Sequence, residues 1–235
     1  YLDHHELIKK EKIDVVDICT PSGIHPVIGM DFARMKGIKA MISEKPLAVD
    51  INLARDLDKV CKHHNVKLFV VKQNRLNPAI KLLKNAIEKG WFGKINMVNT
   101  RVYWQRTEDY YKQADWRSTR DADGGAFMNQ ASHYVDAIQW LLGQVKSVYA
   151  KTESLSRFTL KGNSKELKQR YYYDNPLMNR VNDIFDTRAI EDSGIVLLNY
   201  DPNKELGHNH KTLSVLEVTM CAYPHNLEGS ITILG

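Results

Sequence analysis

Cysteine is scarce in this 235-residue chain, with Cys19, Cys61 and Cys221 odd in number, far apart and set in apolar segments. A disulfide framework is thereby excluded, and all three read as reduced core residues of a cytosolic protein. Long hydrophobic runs are missing too. No apolar stretch approaches the roughly 20 residues that a membrane span needs. The opening Tyr1-Leu2-Asp3-His4-His5-Glu6 has neither a basic start nor an apolar stretch, so no signal peptide is expected. Positive charge is in slight excess, 33 Lys and Arg against 28 Asp and Glu, but no basic stripe forms. That favours small anionic molecules modestly and argues against nucleic acid as a partner. Also absent is the glycine-rich G-x-G-x-x-G turn that cradles a dinucleotide between a first strand and helix.

The chain does contain an alternation of helices and short β-branched runs. Residues 3–12 read as a helix capped by Asp3, with Glu6 placed to close a capping box. The run 14–19 reads as a strand, 20–25 as a loop, and Pro26 as the start of a helix that Gly37 ends. A strand over 38–42 comes next. A helix capped by Asp50 carries Leu53, Ala54, Leu57, Val60 and Cys61 on one face, and 66–71 is a third strand. This order predicts parallel pairing through right-handed crossovers, with the loops 20–25, 43–46 and 72–77 at one edge of the sheet. Residues 1–72 therefore read as the second half of a doubly wound nucleotide-binding (Rossmann) domain whose first half is expected to lie outside the chain.

From residue 73 to 235 the texture is α+β, built on a large, mainly antiparallel sheet. Asn77 caps a helix begun by Pro78 and closed by Gly90. Residues 95–104 alternate, with Arg101 on one face and Val98, Thr100 and Val102 on the other, as in an antiparallel strand. Further strands are expected at 146–153, 194–200, 213–221 and 230–234. Residues 158–190 fit neither period and read as an inserted loop. His208 and His210 lie in a polar stretch without a nearby acid or cysteine, so no metal site is expected there.

Two constellations carry chemistry. Ser43-Glu44-Lys45-Pro46 ends a strand where open α/β sheets bind ligands, and the proline after it holds Lys45 extended. Gly124-Gly125 precedes a helix expected from Met128, on which Asn129 and His133, four apart, share a face. His133 is suited to proton transfer near neutral pH, Asn129 to orienting it or a substrate, and the glycines to close approach by a ligand or another backbone.

Thr20-Pro21 through His25, Glu44-Lys45-Pro46, Asn74-Arg75-Leu76-Asn77-Pro78, Trp116-Arg117 and the double glycine with Asn129 and His133, in this order and spacing, resemble the glucose-fructose oxidoreductase / inositol dehydrogenase / MocA family. The resemblance resumes at Glu191-Asp192-Ser193-Gly194 and over 223–235. Within the family, 104–142 and 223–235 are most similar to the UDP-N-acetylglucosaminuronate 3-dehydrogenases, which serve bacterial surface-polysaccharide (lipopolysaccharide O-antigen) synthesis.

The resemblance implies a cytoplasmic, NAD-dependent enzyme that oxidises the C3 hydroxyl of a UDP-N-acetylhexosaminuronate and assembles as a homo-oligomer, a tetramer packed through the large sheet. Thr20, Pro21 and His25 are expected beside the nicotinamide ribose, with Glu44 bonding that ribose and Lys45 next to it. Trp116 and Arg117 are expected to approach the cofactor from the second domain. Lys45 and His133 are the expected catalytic pair, either one serving as base. Asn129 stands where the family more often has aspartate and is expected to orient the sugar or His133. Arg75, Arg101 and Arg106 are candidates for the uronate carboxylate or the diphosphate, with Asn77 beside them, because guanidinium binds both groups bidentately. Two other readings stay open: an NAD-dependent glycosidase of the same family, and a non-catalytic nucleotide-sugar-binding fragment.

Overall fold

The computed structural model describes residues 3–114, 116–155, 190–202 and 211–235. The insert expected at 158–190, apart from Ile190, and the pair His208 and His210 lie outside the described residues. The described chain divides into two units. One contains the residues up to Val71 together with Thr119–Gly124; the other contains Lys72–Ser118 and the described residues from Gly125 onward.

In the first unit, β1 (Val15–Ile18), β2 (Ala40–Ser43) and β3 (Lys67–Val70) pair parallel in that order, with Val16, Met41 and Leu68 in register. The helices are α1 (His4–Lys10), α2 (His25–Arg34) and α3 (Ile51–His63). Asp3 caps α1 by accepting from the His5 amide at 2.9 Å, but Glu6 pairs with Lys10 instead of closing a capping box. Asp50 caps α3 by accepting from the amides of Asn52 and Leu53 at 2.8 and 3.0 Å. The apolar stripe predicted for α3 is realised by Leu57 and Cys61, which are buried in one core with Ile18, Met30, Phe32 and Met41. On the other face of the sheet Val15, Ile42 and Phe69 are exposed. Cys61 is the core thiol foreseen, whereas Cys19 and Cys221 are exposed, because each sits where its strand has just ended.

The second unit holds α4 (Pro78–Glu88), α5 (Glu108–Lys112) and α6 (Ser132–Leu142). Its sheet is built from β4 (Met97–Tyr103), β5 (Val145–Glu153), β6 (Ser193–Tyr200), β7 (Thr212–Thr219) and β8 (Glu228–Leu234). The strand order is β5-β6-β7-β4-β8. Three of the pairings are antiparallel. The fourth departs from expectation, since β4 runs parallel to β7 on one side and antiparallel to β8 on the other.

The predicted alternation in β4 holds. Val98, Thr100 and Val102 are fully buried, and the two valines join Ile87 of α4 and Ile138, Leu141 and Leu142 of α6 in one core. Burying each large apolar side chain there contributes about 1.5–3 kcal/mol. The opposite face of the sheet leaves Tyr149, Ile195, Leu197, Leu213 and Leu234 exposed. Among the described residues no helix is long and apolar enough to cross a membrane.

Candidate active site

Thr20, Pro21, His25, Glu44 and Lys45 all lie just beyond the C-terminal ends of β1 and β2. His25 is 1% exposed, and its ring spans two backbone carbonyls, Nε2 at 2.7 Å from Thr20 O and Nδ1 at 2.8 Å from Pro46 O. A carbonyl oxygen only accepts, so the ring donates from whichever nitrogen carries the N–H. His25 was expected to line the cofactor; its two ring nitrogens face loop 20–25 and the residue after Lys45. The Glu44 carboxylate accepts from the Lys45 amide at 3.1 Å, which fixes the backbone from which Lys45 projects. Thr20 Oγ1 is buried and has no hydrogen-bond partner among the described residues.

In the second unit His133 stands in the first turn of α6. The helix begins at Ser132, four residues later than expected; Gly124 and Gly125 before it hold φ at 83° and 90°, in the left-handed region. The chain from there to Ala131 turns back on itself through Asn129 N to Gly125 O at 2.9 Å and Ala131 N to Ala126 O at 2.8 Å. Asn129 is consequently buried in that turn and shares no helix face with His133. The close approach that Gly125 permits is made by a side chain: a Cβ there would lie 2.3 Å from Oε1 of Glu191. Sequence reasoning gave Glu191 no role. Its only signal was the isolated Glu191-Asp192-Ser193-Gly194 motif.

His133 lines a cavity of about 370 Å³ with Asn74, Asn77, Ile80, Leu83, Tyr134 and the stretch 229–231. A Cβ at Gly229 would meet the Tyr134 hydroxyl at 2.3 Å, so the wall of the cavity requires glycine there. The Asn77 side-chain Oδ1 caps α4, accepting from Ala79 N at 2.9 Å. Asn74 and Tyr134, which sequence reasoning did not single out, contribute polar groups to the same wall.

The candidate arginines separate. Arg75 donates to both carboxylate oxygens of Asp136 on α6, and that hydrogen-bonded carboxylate raises its pKa. Arg101 lies on the face of the sheet opposite the core that packs α6, between Glu217 at 3.6 Å and Glu228 at 3.7 Å, and is not brought together with His133. Arg106 and Arg117 both lie over the ring of Tyr110, and Arg117 also lies over Trp116. Elsewhere, the exposed Asp3 and His5 and the half-buried His4 bring ligand-type atoms within 4.8 Å of one another, but Asp3 is already engaged in capping α1.

Residues 80–235 match the model of the GFO/IDH/MocA C-terminal domain, and residues 1–72 match that of the oxidoreductase family with NAD-binding Rossmann fold. The chain belongs to the Gfo/Idh/MocA family. Relatives in the family include levoglucosan dehydrogenase of Pseudarthrobacter phenanthrenivorans, 30% identical over 63% of this chain and 38% of its own length. Myo-inositol 2-dehydrogenase of Thermotoga maritima is 30% identical over 64% of this chain and 42% of its own. Among solved Gfo/Idh/MocA structures, the WlbA dehydrogenase from Bordetella pertussis, in complex with NADH and UDP-GlcNAcA, is 38% identical with a TM-score of 0.79. That match covers 100% of this chain and 59% of the WlbA chain. The WlbA dehydrogenase from Chromobacterium violaceum, with the same two ligands, is 37% identical at the same TM-score and 57% covered. This chain thus spans about two fifths of the curated relatives and under three fifths of the solved ones.

Proposed function

We propose that the chain carries the substrate side and part of the cofactor side of an NAD-dependent dehydrogenase that oxidises the C3 hydroxyl of a UDP-N-acetylhexosaminuronate, a cytoplasmic step in making bacterial surface polysaccharide such as lipopolysaccharide O-antigen. One observation carries this reading. His133 opens into a cavity of the size and polarity of a sugar site, in a chain 37–38% identical along its whole length to dehydrogenases crystallised with UDP-GlcNAcA.

The residues at the ends of β1 and β2 suit a nicotinamide cofactor. Thr20 Oγ1 is an orphaned buried hydroxyl whose bonding a ligand would complete, and Glu44 supplies a carboxylate to accept from ribose hydroxyls. Thr20, Pro21, Glu44 and Lys45 would hold that group. When bound, NAD supplies the hydride acceptor.

The protein's own task is then to remove the proton of the hydroxyl as the carbon gives up its hydride. We assign this to Lys45 and His133, one holding the developing alkoxide by a hydrogen bond while the other takes the proton. Asn129, fixed in its turn, serves to position the sugar or His133. If the product is a 3-ketosugar, reduction with borodeuteride places deuterium at C3; deuterium at another carbon, or release of UDP-free sugar without net NADH, contradicts the reading.

The same reading makes the chain one subunit of a homo-oligomer. The open face of the β4–β8 sheet presents exposed Tyr149, Ile195, Leu197 and Leu213 around a row of both charge signs, Lys151, Glu217 and Arg101, which suits a second copy of itself. Leu197→Glu is expected to lower the mass seen by light scattering to that of a monomer; an unchanged mass contradicts this interface.

A further inference from the structure

The cavity beside His133 is two-sided. Ile80 and Leu83 of α4, Ala137 of α6 and Ile231 of β8 give it an apolar side. Tyr134 and Asn74 give it a polar one. Tyr134 Oη has no hydrogen-bond partner among the described residues, and neither has the side-chain amide of Asn74, whose backbone carbonyl alone is engaged, accepting from Asn77 N at 3.1 Å. Asn77 and Ser230, also in the wall, are committed elsewhere: Asn77 Oδ1 caps α4, and Ser230 Oγ donates to Glu228 Oε1 at 2.5 Å. Among the described residues no lysine or arginine lines the cavity.

Tyr134 is fixed in place. Its ring packs edge-on against Trp104 at 6.0 Å, and its hydroxyl lies against the bare backbone of Gly229, where a Cβ would come within 2.3 Å of it. Burial pushes the phenol up from its usual pKa of 10.0, so the hydroxyl keeps its proton and donates at neutral pH. A phenol and a primary amide held at one wall, with no cation among them, suit a neutral hydrogen-bonding group better than a carboxylate or phosphate.

Connectivity narrows the choice. With the C3 hydroxyl of the proposed substrate at His133, the groups carried into the same cavity are those on the two carbons bonded to C3, the hydroxyl on C4 and the acetamido group on C2. A hydroxyl would leave the apolar side of the cavity without a partner. An acetamido group is half amide and half methyl, and so answers both sides at once.

We propose that this cavity selects the acetamido group on C2 of the sugar. Tyr134 Oη donates to the acetamido oxygen, Asn74 Oδ1 accepts from its N–H, and Ile80, Leu83 and Ile231 enclose its methyl. Tyr134 and Asn74 are thus specificity residues for an N-acetylated sugar. The placing of C3 at His133 rests on the function proposed above; the two-sided wall does not.

Calorimetric titration of the 235-residue chain with UDP-N-acetylglucosaminuronate and with UDP-glucuronate, which has a hydroxyl in place of the acetamido group, tests the proposal. The parent is expected to prefer the acetamido sugar about tenfold or more. Tyr134→Phe and Asn74→Ala are each expected to shrink that preference about threefold or more, the share of one hydrogen bond. Thermal unfolding checks that each variant folds, and a merely structural loosening would weaken both sugars alike and leave the preference unchanged. A parent that binds both UDP-sugars equally, or folded variants that keep the parent's preference, overturn the acetamido subsite while the dehydrogenase reading stands. Saturation-transfer NMR with free N-acetylglucosamine separates the converse case. If neither UDP-sugar binds, but the acetyl methyl of N-acetylglucosamine receives the strongest transfer and loses it in Tyr134→Phe, the proposed substrate fails and the subsite stands; a parent that binds none of the three overturns both.

Discussion

Arg75 and Asp136 meet through two parallel hydrogen bonds, Nε to Oδ2 at 2.7 Å and Nη2 to Oδ1 at 2.6 Å, across 61 positions of sequence. The pair joins the turn that carries Asn74 and Asn77 to the helix that carries His133, so it sets the walls of the cavity and leaves no fork for a ligand.

Asp136→Asn is accordingly expected to cost about 1–3 kcal/mol of unfolding free energy, read from denaturant midpoints. It should also weaken nucleotide-sugar binding to the same degree as Arg75→Gln. If Arg75 instead contacts the substrate directly, freeing it from Asp136 would preserve binding while Arg75→Gln abolishes it.

A similar distinction applies to His25. His25→Ala removes the ring that bridges the carbonyls of Thr20 and Pro46, a loss of about 1–3 kcal/mol in denaturant unfolding. A direct cofactor contact would show the opposite pattern, impaired NAD binding at unchanged stability.

Alkaline stability carries a third expectation. Burial raises the Cys61 thiol from 9.0 to about 11. Burial, together with its bond to Glu217, raises Tyr103 from 10.0 to about 12. In both cases the folded chain keeps a proton that the unfolded chain has already lost, so unfolding is favoured as pH rises. The contribution of Cys61 is full below pH 9 and disappears by about 11; that of Tyr103 disappears between 10 and about 12. Unfolding free energies of the parent should therefore fall from pH 9, and those of Cys61→Ala should fall less steeply between 9 and about 11, the raised thiols of Cys19 and Cys221 still contributing. Parallel slopes in the two proteins from pH 9 to 11 would contradict the assignment.

The fold was largely legible wherever a local period carries it. The three short strands of the first unit, the alternation that buries Val98, Thr100 and Val102, and the caps Asp3, Asp50 and Asn77 all arise from neighbours in sequence. The features that escaped depend on distant partners. The parallel pairing of β4 with β7 leaves no trace in the period of either strand, and α5 is a single turn capped by Thr107 with no apolar stripe. The apolar spacing of Met128 and Ala131 continued the α6 stripe, but the backbone up to Ala131 is bonded in turns and the helix starts at Ser132.

The site was legible to the same extent. Residue types and order marked Lys45 and His133, but sequence could not reveal that Asp136 occupies Arg75, that Glu217 and Glu228 occupy Arg101, or that backbone carbonyls occupy His25. Alternation alone places Arg101 on the face away from Val98 and Val102, where the structure has it.

The most direct measurement is NADH absorbance after mixing the 235-residue chain with NAD and UDP-N-acetylglucosaminuronate, beside Lys45→Ala and His133→Ala. The proposed function predicts that NADH accumulates with the parent and that each variant is slower by about a hundredfold or more, the usual contribution of a positioned acid or base. A parent that binds the UDP-sugar yet forms no NADH, or variants that keep the parent's rate, would contradict it.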